Sequence, residues 1–249
     1  MGERLGAVIF DMDETLVDWS EHEVDWDELR RQHFAPLVEH LVQRGHELPE
    51  ATEIVEVFNS FNRAAWESSG EPDWVAPRQL DLIRRTLRAF GIDVEEEELR
   101  EIHELYAWGA IPGVHAYPDS LEVLRALSEH GIKTGLVTNA SAPMWMRDRE
   151  LEKYGLLPYL DVRVTAGDAG HLKPHPRAFE WVLERLGIRP EQAVFVGDSL
   201  RDDVEGAKRA GMRAVWINRR NGQRPAGVDV EPDATIYRLS DLLRCLDEW

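Results

Sequence analysis

Cysteine, lysine and long apolar runs are all scarce in this chain. Cys245 is its one cysteine. No disulfide can therefore form within the chain, and a reducing cytoplasm is the expected setting. No apolar stretch reaches the length that crosses a bilayer. The N-terminus has no basic segment followed by an apolar one, so no secretory signal is expected. Positive charge is also short: 29 Lys and Arg stand against 47 Asp and Glu, a formal net charge of −18. Nucleic acid and anionic membrane both reward basic patches, so neither is the expected partner. A small anion remains admissible, because a local cluster of donors and a metal overrides the global field. Lysine occurs only at Lys133, Lys153, Lys173 and Lys208.

What is present suits a packed domain. The chain has 249 residues, 43% of them hydrophobic, enough for one large domain with a smaller insert. Short β-rich runs occur at 5–11, 134–139, 162–166, 193–198 and 213–218, with a weaker one at 234–237. Between the later runs lie segments of helical period at 120–130, 143–154, 176–186 and 203–210, several of them closed by glycine. A last helix is expected over 240–247. This alternation predicts an α/β fold, a Rossmann-like parallel sheet wound with helices. The stretch from 17 to 110 differs. It has no convincing strand run and reads as amphipathic helices over 26–43, 50–66, 78–90 and 96–108, with Pro36 expected to kink or split the first. The expected division is a core of 1–16 and 111–249 and an all-helical insert of 17–110.

The chemistry begins at Val8-Ile9-Phe10-Asp11-Met12-Asp13-Glu14-Thr15-Leu16. An apolar strand run ends in two carboxylates one residue apart, which repel unless a cation or a shared proton is present. Later strand ends and loops add Thr138 and Asn139, then Lys173 before a Pro-started helix, then Asp198 with Asp202 and Asp203. If the sheet is parallel, all of these gather at one edge, where open α/β sheets bind ligands. Phosphoryl transfer asks for such a set. A carboxylate such as Asp11 attacks phosphorus. Asp13 gives and takes the proton. Mg2+ takes the oxygen donors of Asp11 and Asp198, with a backbone carbonyl, and Thr138 and Lys173 hold the phosphoryl oxygens.

These motifs resemble those of the haloacid dehalogenase-like hydrolases. The first is Asp11 to Leu16, the second Thr138-Asn139, the third Lys173 in Leu-Lys-Pro-His-Pro, and the fourth Gly197-Asp198-Ser199 with Asp202-Asp203; all stand in family order. The resemblance implies a nucleophile at Asp11 and an acid/base at Asp13. It implies Mg2+ on Asp11, Asp198 and the Asp13 carbonyl. Phosphate would be held by Thr138, Lys173 and the Asn139 amide. Asp203 matches the family's supporting acid better than Asp202. The helical insert resembles the family's cap. Position 14 departs from the pattern: it is Glu where Gly, Asn or Asp is usual, which adds charge near the site entrance, and since its side chain can point to solvent it is not expected to abolish activity.

The function implied is a magnesium-dependent phosphatase acting on a small phosphomonoester through an aspartyl-phosphate. A phosphomutase keeps both motif aspartates and stays open, as does a non-catalytic binding protein on the same scaffold. Dehalogenases and phosphonate hydrolases lack the second aspartate, so Asp13 argues against them. Phospho-accepting signalling domains are about half this length and order their motifs differently. Trp19 and Trp74, in expected loops, are the candidates for contact with the leaving group. Trp26, Trp66 and Trp108 read as bundle core and surface. A monomer or homodimer is the default assembly.

Overall fold

The computed structural model describes residues 5–246. Its main sheet has strands β1 (Ala7–Phe10), β4 (Lys133–Thr138), β5 (Val162–Thr165), β6 (Ala193–Gly197), β7 (Arg213–Ile217) and β8 (Ala234–Ile236). Their order is β5-β4-β1-β6-β7-β8, and every neighbouring pair is parallel. All four residues of β1 are fully buried, as an unbroken apolar run requires when both faces are covered. Val8, Phe10, Leu136, Val194 and Val196 pack on one face with α5 (Pro118–Glu129) and α10 (Leu242–Leu246). Ile9, Val137 and Phe195 pack on the other with α8 (Pro176–Leu186) and α9 (Gly206–Arg209). From β1 the chain winds to β4 and β5 on one side and later to β6 on the other. The crevice beyond β1 is therefore the switch point at which such sheets bind ligands.

The remaining core helices are α6 (Met144–Lys153) and the short α7 (Ala166–Ala169). The helix expected over 203–210 starts earlier, as a wide π-type turn at Leu200–Glu205, and tightens into α9 at Gly206. A Cβ at Gly206 would stand 2.7 Å from the Phe179 ring and 2.9 Å from the Pro174 Cα. Only glycine lets this helix lie so close to the Lys173 loop.

The insert holds α1 (Trp26–Gln43), α2 (Ala51–Glu67), α3 (Gln79–Ala89) and α4 (Glu96–Glu104). Phe34, Leu37 and Leu41 meet Phe58, Ile83, Leu87 and Ile102 in a core of their own, which also takes in Met146 from α6. Pro36 does not split α1, which runs unbroken through it; a proline removes a single intrahelical donor, and the buried stripe on either side holds the turn. The fourth helix stops at Glu104 rather than reaching 108. The chain leaves for the insert and returns through a two-strand ribbon, β2 (Val17–Asp18) antiparallel to β3 (His115–Ala116). Two-residue strands carry no period, so the sequence shows only a linker there. Among the described residues, no helix is long and apolar enough to cross a membrane.

Candidate active site

Asp11 follows β1, Thr138 ends β4 and Asp198 follows β6. The parallel register thus brings three sheet ends to one edge. Lys173, in the loop before α8, reaches into the middle of them. Its Nζ lies 2.6 Å from Asp11 Oδ1 and 2.7 Å from Asp203 Oδ1, and it is 3% exposed. Burial alone lowers an ammonium's pKa; here the two carboxylates outweigh it and hold Lys173 above its ordinary value. Asn139 fixes the loop with reciprocal bonds: its side-chain amide donates to the Lys173 carbonyl (3.1 Å), and its Oδ1 accepts from the Lys173 N–H (2.9 Å). The expected role of Asn139 ran through its backbone amide. Its side chain is the part that anchors Lys173.

Of the acidic pair, Asp203 is the member that reaches Lys173. Its other oxygen accepts from the Ser199 N–H at 2.9 Å. Asp202 lines the same depression, with its backbone N–H bonded to Ser199 Oγ. Gly197 makes the Asp203 position available. A Cβ there would stand 2.2 Å from Asp203 Oδ2, so Gly197→Ala is expected to push this carboxylate off Lys173. The cost of such overpacking is about 1–3 kcal/mol. Urea unfolding together with turnover measures it, and an unchanged midpoint with full activity would show that the close approach has no consequence.

The carboxylates crowd. Oxygens of Asp11, Asp198 and Asp203 all lie within 4.8 Å of one another. Desolvation is the main cause that raises the Asp11 pKa well above its ordinary value, opposed by Lys173 and reinforced by Asp203 and Asp198. Asp198, though partly open to solvent, is pushed up to about 7, first by desolvation and then by Asp203. Oxygen donors set this close and disfavoured as anions fit a hard divalent cation. Asp203 already gives both oxygens to Lys173 and Ser199, which leaves Asp11 and Asp198 as the freer donors.

Asp13 stands at the junction of two hollows. One, of about 220 Å3, holds Asp11, Asp13, Thr138, Lys173, Asp198 and Asp203. The other, of about 240 Å3, lies between insert and core. Trp19, Trp26, Trp66, Phe58, Tyr106 and Trp108 give it aromatic walls. Asp13 and Asn139 line both. Thr138 Oγ1 lies 3.5 Å from Asp13 Oδ2.

Trp19 lines the second hollow, stacks on Trp26 (6.0 Å between centroids) and donates its indole N–H to Asp13 Oδ1 at 2.8 Å. Trp74 does not line either hollow. Its loop is pinned to the outside of the Lys173 loop through Leu172 N–H to Trp74 O (2.8 Å) and Ala76 N–H to Gly170 O (3.1 Å), and its ring packs with Ala76, Ala166 and Leu172. Trp26, Trp66 and Trp108, expected only to pack, are the rings that shape the hollow. Glu14 also departs from expectation. Its φ is 60°, and its Oε2 accepts from Arg220 Nη2 (2.7 Å) and the Tyr117 hydroxyl (3.2 Å), so it ties the first motif to the ribbon and to the loop after β7.

The structure adds two residues of α6 that the sequence does not single out: Arg147, which donates to Asp13 Oδ1 at 2.6 Å, and Glu150, paired with it at 3.2 Å. Nothing but their i, i+3 spacing in α6 could have drawn notice, and that pattern is common on solvated helices.

A family model for haloacid dehalogenase-like hydrolases matches residues 5–211. The glyceraldehyde 3-phosphate phosphatase of Methanopyrus kandleri is 32% identical over 245 residues, which are 97% of this chain and 97% of that one. Among solved structures, a HAD phosphatase from Thermococcus onnurineus is 32% identical, with 97% of this chain and 98% of that chain covered at a TM-score of 0.58. A 2-haloacid dehalogenase from Pseudomonas syringae pv. Tomato DC3000 is 27% identical, with 98% and 99% covered at a TM-score of 0.63. Motifs, sheet order and these relatives agree that the chain belongs to the haloacid dehalogenase-like hydrolase family, and the two phosphatases at 32% identity mark it as an enzyme of that family's phosphatase branch.

Proposed function

We propose that the protein is a magnesium-dependent phosphatase that hydrolyses a small phosphomonoester through an aspartyl-phosphate. The observation that carries this reading is the gathering of Asp11, Asp13, Thr138, Lys173 and Asp198 around one depression. Asp11, Asp198 and the Asp13 carbonyl would hold Mg2+, which when bound offsets the charge of the carboxylates and of the phosphoryl group. Lys173 and Thr138 hold the phosphoryl oxygens and neutralise them. An Asp11 oxygen forms a bond to phosphorus as the bond to the substrate oxygen breaks, and Asp13 gives that oxygen its proton. Water then attacks the phosphorus of the intermediate and gives its proton to Asp13. Phosphate leaves, and both carboxyl groups return to their starting state.

The insert would serve as the cap. It covers the site, excludes bulk water and surrounds the leaving group with the aromatic hollow. A volume of about 240 Å3 suits a leaving group of metabolite size. The presence of Asp13, held by two donors, supports a reaction that must protonate its leaving group; a carbon–halogen bond needs no such proton.

Phosphate release from a panel of phosphomonoesters, with Mg2+ and with EDTA, tests the reading. Metal-dependent release supports it. A folded protein that releases phosphate from none, yet interconverts phosphorylated isomers, would make it a mutase instead.

A further inference from the structure

Asp13 Oδ1 accepts from two donors that have no acceptor role. Arg147 Nη2 lies 2.6 Å away and Trp19 Nε1 2.8 Å away. Guanidinium and indole nitrogens can only donate, so this oxygen cannot carry a proton while both bonds stand. The proton that Asp13 delivers must sit on Oδ2, the oxygen beside Thr138. Arg147 is itself held. It is 4% exposed, and its Nη1 pairs with Glu150 at 3.2 Å. Glu150 is fully buried and also accepts from the indole N–H of Trp108. A fully buried carboxylate, Glu150, and the partly exposed Asp13 therefore flank one buried guanidinium, and only Asp13 opens to the site.

We propose that Arg147, clamped by Glu150, is a positioning residue that fixes Asp13 so that Oδ2 alone gives and takes the proton. This rests on the phosphatase reading and adds to it a part that the four motifs do not contain. A carboxylate held at one oxygen by a planar, buried cation cannot rotate to present the wrong lone pair. The arrangement also ties proton transfer to the cap. Trp19 lies on the strand-side exit to the insert and Trp108 on its return. Both ends of the insert thus bond to members of one Asp13–Arg147–Glu150 row. Cap placement and acid placement become the same geometric event.

Leaving groups of different acidity test the proposal. An alkyl phosphate needs a proton as its P–O bond breaks, whereas the nitrophenolate of 4-nitrophenyl phosphate leaves without one. With Arg147→Gln, kcat/KM, which reports the step that breaks the ester bond, is expected to fall about 100-fold for the alkyl ester, the scale of a misplaced catalytic group, and less than tenfold for the nitrophenyl ester, while hydrolysis of the shared aspartyl-phosphate slows equally for both. Arg147→Lys should restore part of the alkyl-ester rate. Glu150→Gln keeps the Asp13–Arg147 contact but removes its anchor, and is expected to show the same selectivity to a smaller degree. Should Arg147→Gln fail to fold with Glu150 left unpaired, Arg147→Gln with Glu150→Gln removes both charges and must still lose the alkyl ester selectively. Equal losses of kcat/KM on both esters, or none on either, would overturn the proposal. If Asp13→Asn discriminates between the esters and the Arg147 variants do not, the positioning role falls and the phosphatase reading stands. If the unaltered enzyme releases phosphate from neither ester nor any other, both fall.

Discussion

Asp11→Asn is expected to remove turnover, by on the order of 10⁴-fold or more, while leaving the fold intact. The two halves of this prediction have one cause. Asp11 is buried at the end of a central strand, and burial is the largest influence that raises its pKa. Three other carboxylates add to the rise, and only Lys173 opposes it. Such a group is a poor source of stability and a good nucleophile in waiting. Asparagine keeps its shape, removes the unfavourable charge and leaves Lys173 paired to Asp203. Metal-free thermal unfolding of the variant should occur no lower than that of the parent protein. Mass spectrometry of acid-quenched protein, mixed with substrate, should find phosphate on the parent and none on the variant. Full activity in Asp11→Asn would end the nucleophile assignment; loss of activity through loss of fold would show as a collapsed circular dichroism signal.

The parts of this molecule that were legible in its sequence are those that repeat or that sit in short, dense strings. β1, β4 and β6 announce themselves because buried parallel strands are continuous apolar runs, and the polar residues that end them line the candidate site. Lys173 was legible from the Leu-Lys-Pro-His-Pro string, and α3 from its period alone. What could not be read depends on tertiary placement. Arg147 lies 134 positions from Asp13 along the chain, and no local pattern marks that contact. Trp74 and Trp66 exchange places with respect to the hollow for a similar reason. A tryptophan in a loop reads as available, but the bridge between Val75 and His171 turns this loop against the core, while Trp66, near the end of α2, lines the hollow. Glu14 reads as solvent-facing because its partners, Tyr117 and Arg220, are 103 and 206 positions away. The helical character of the stretch from α1 to α4 was readable as a change of period. The ribbon through which the chain enters and leaves it, two residues on each side, was not.

Added Mg2+ is expected to stabilise the protein strongly at pH 8 and weakly at pH 5. At about 100 Kd of metal, and with no binding to the unfolded chain, the gain at pH 8 is roughly 5–10 °C in Tm. The pH dependence follows from the same crowding that marks the site. Asp198 has its folded pKa raised to about 7, and that of Asp11 is raised as well. An acid with a raised folded pKa lends stability below its unfolded value, near 4, and loses it as the pH climbs through the folded value. In the metal-free protein these carboxylates should therefore take away stability as the pH rises from about 4 through about 7, while His33 and His103, held down at about 4 chiefly by burial, add it over the same range. Mg2+ competes with the protons for these oxygens, so it adds little where they are protonated and most where they are bare. Glu150, pushed up to about 7 chiefly by burial, has the same sign but lies in the Arg147 row rather than among the three carboxylates. Its share of the slope should survive saturating Mg2+ and disappear in Glu150→Gln. Thermal scans from pH 5 to pH 8, with EDTA and with Mg2+, separate the two contributions. A Mg2+ shift of equal size at both ends of that range would mean that the cation is bound somewhere other than on Asp11 and Asp198.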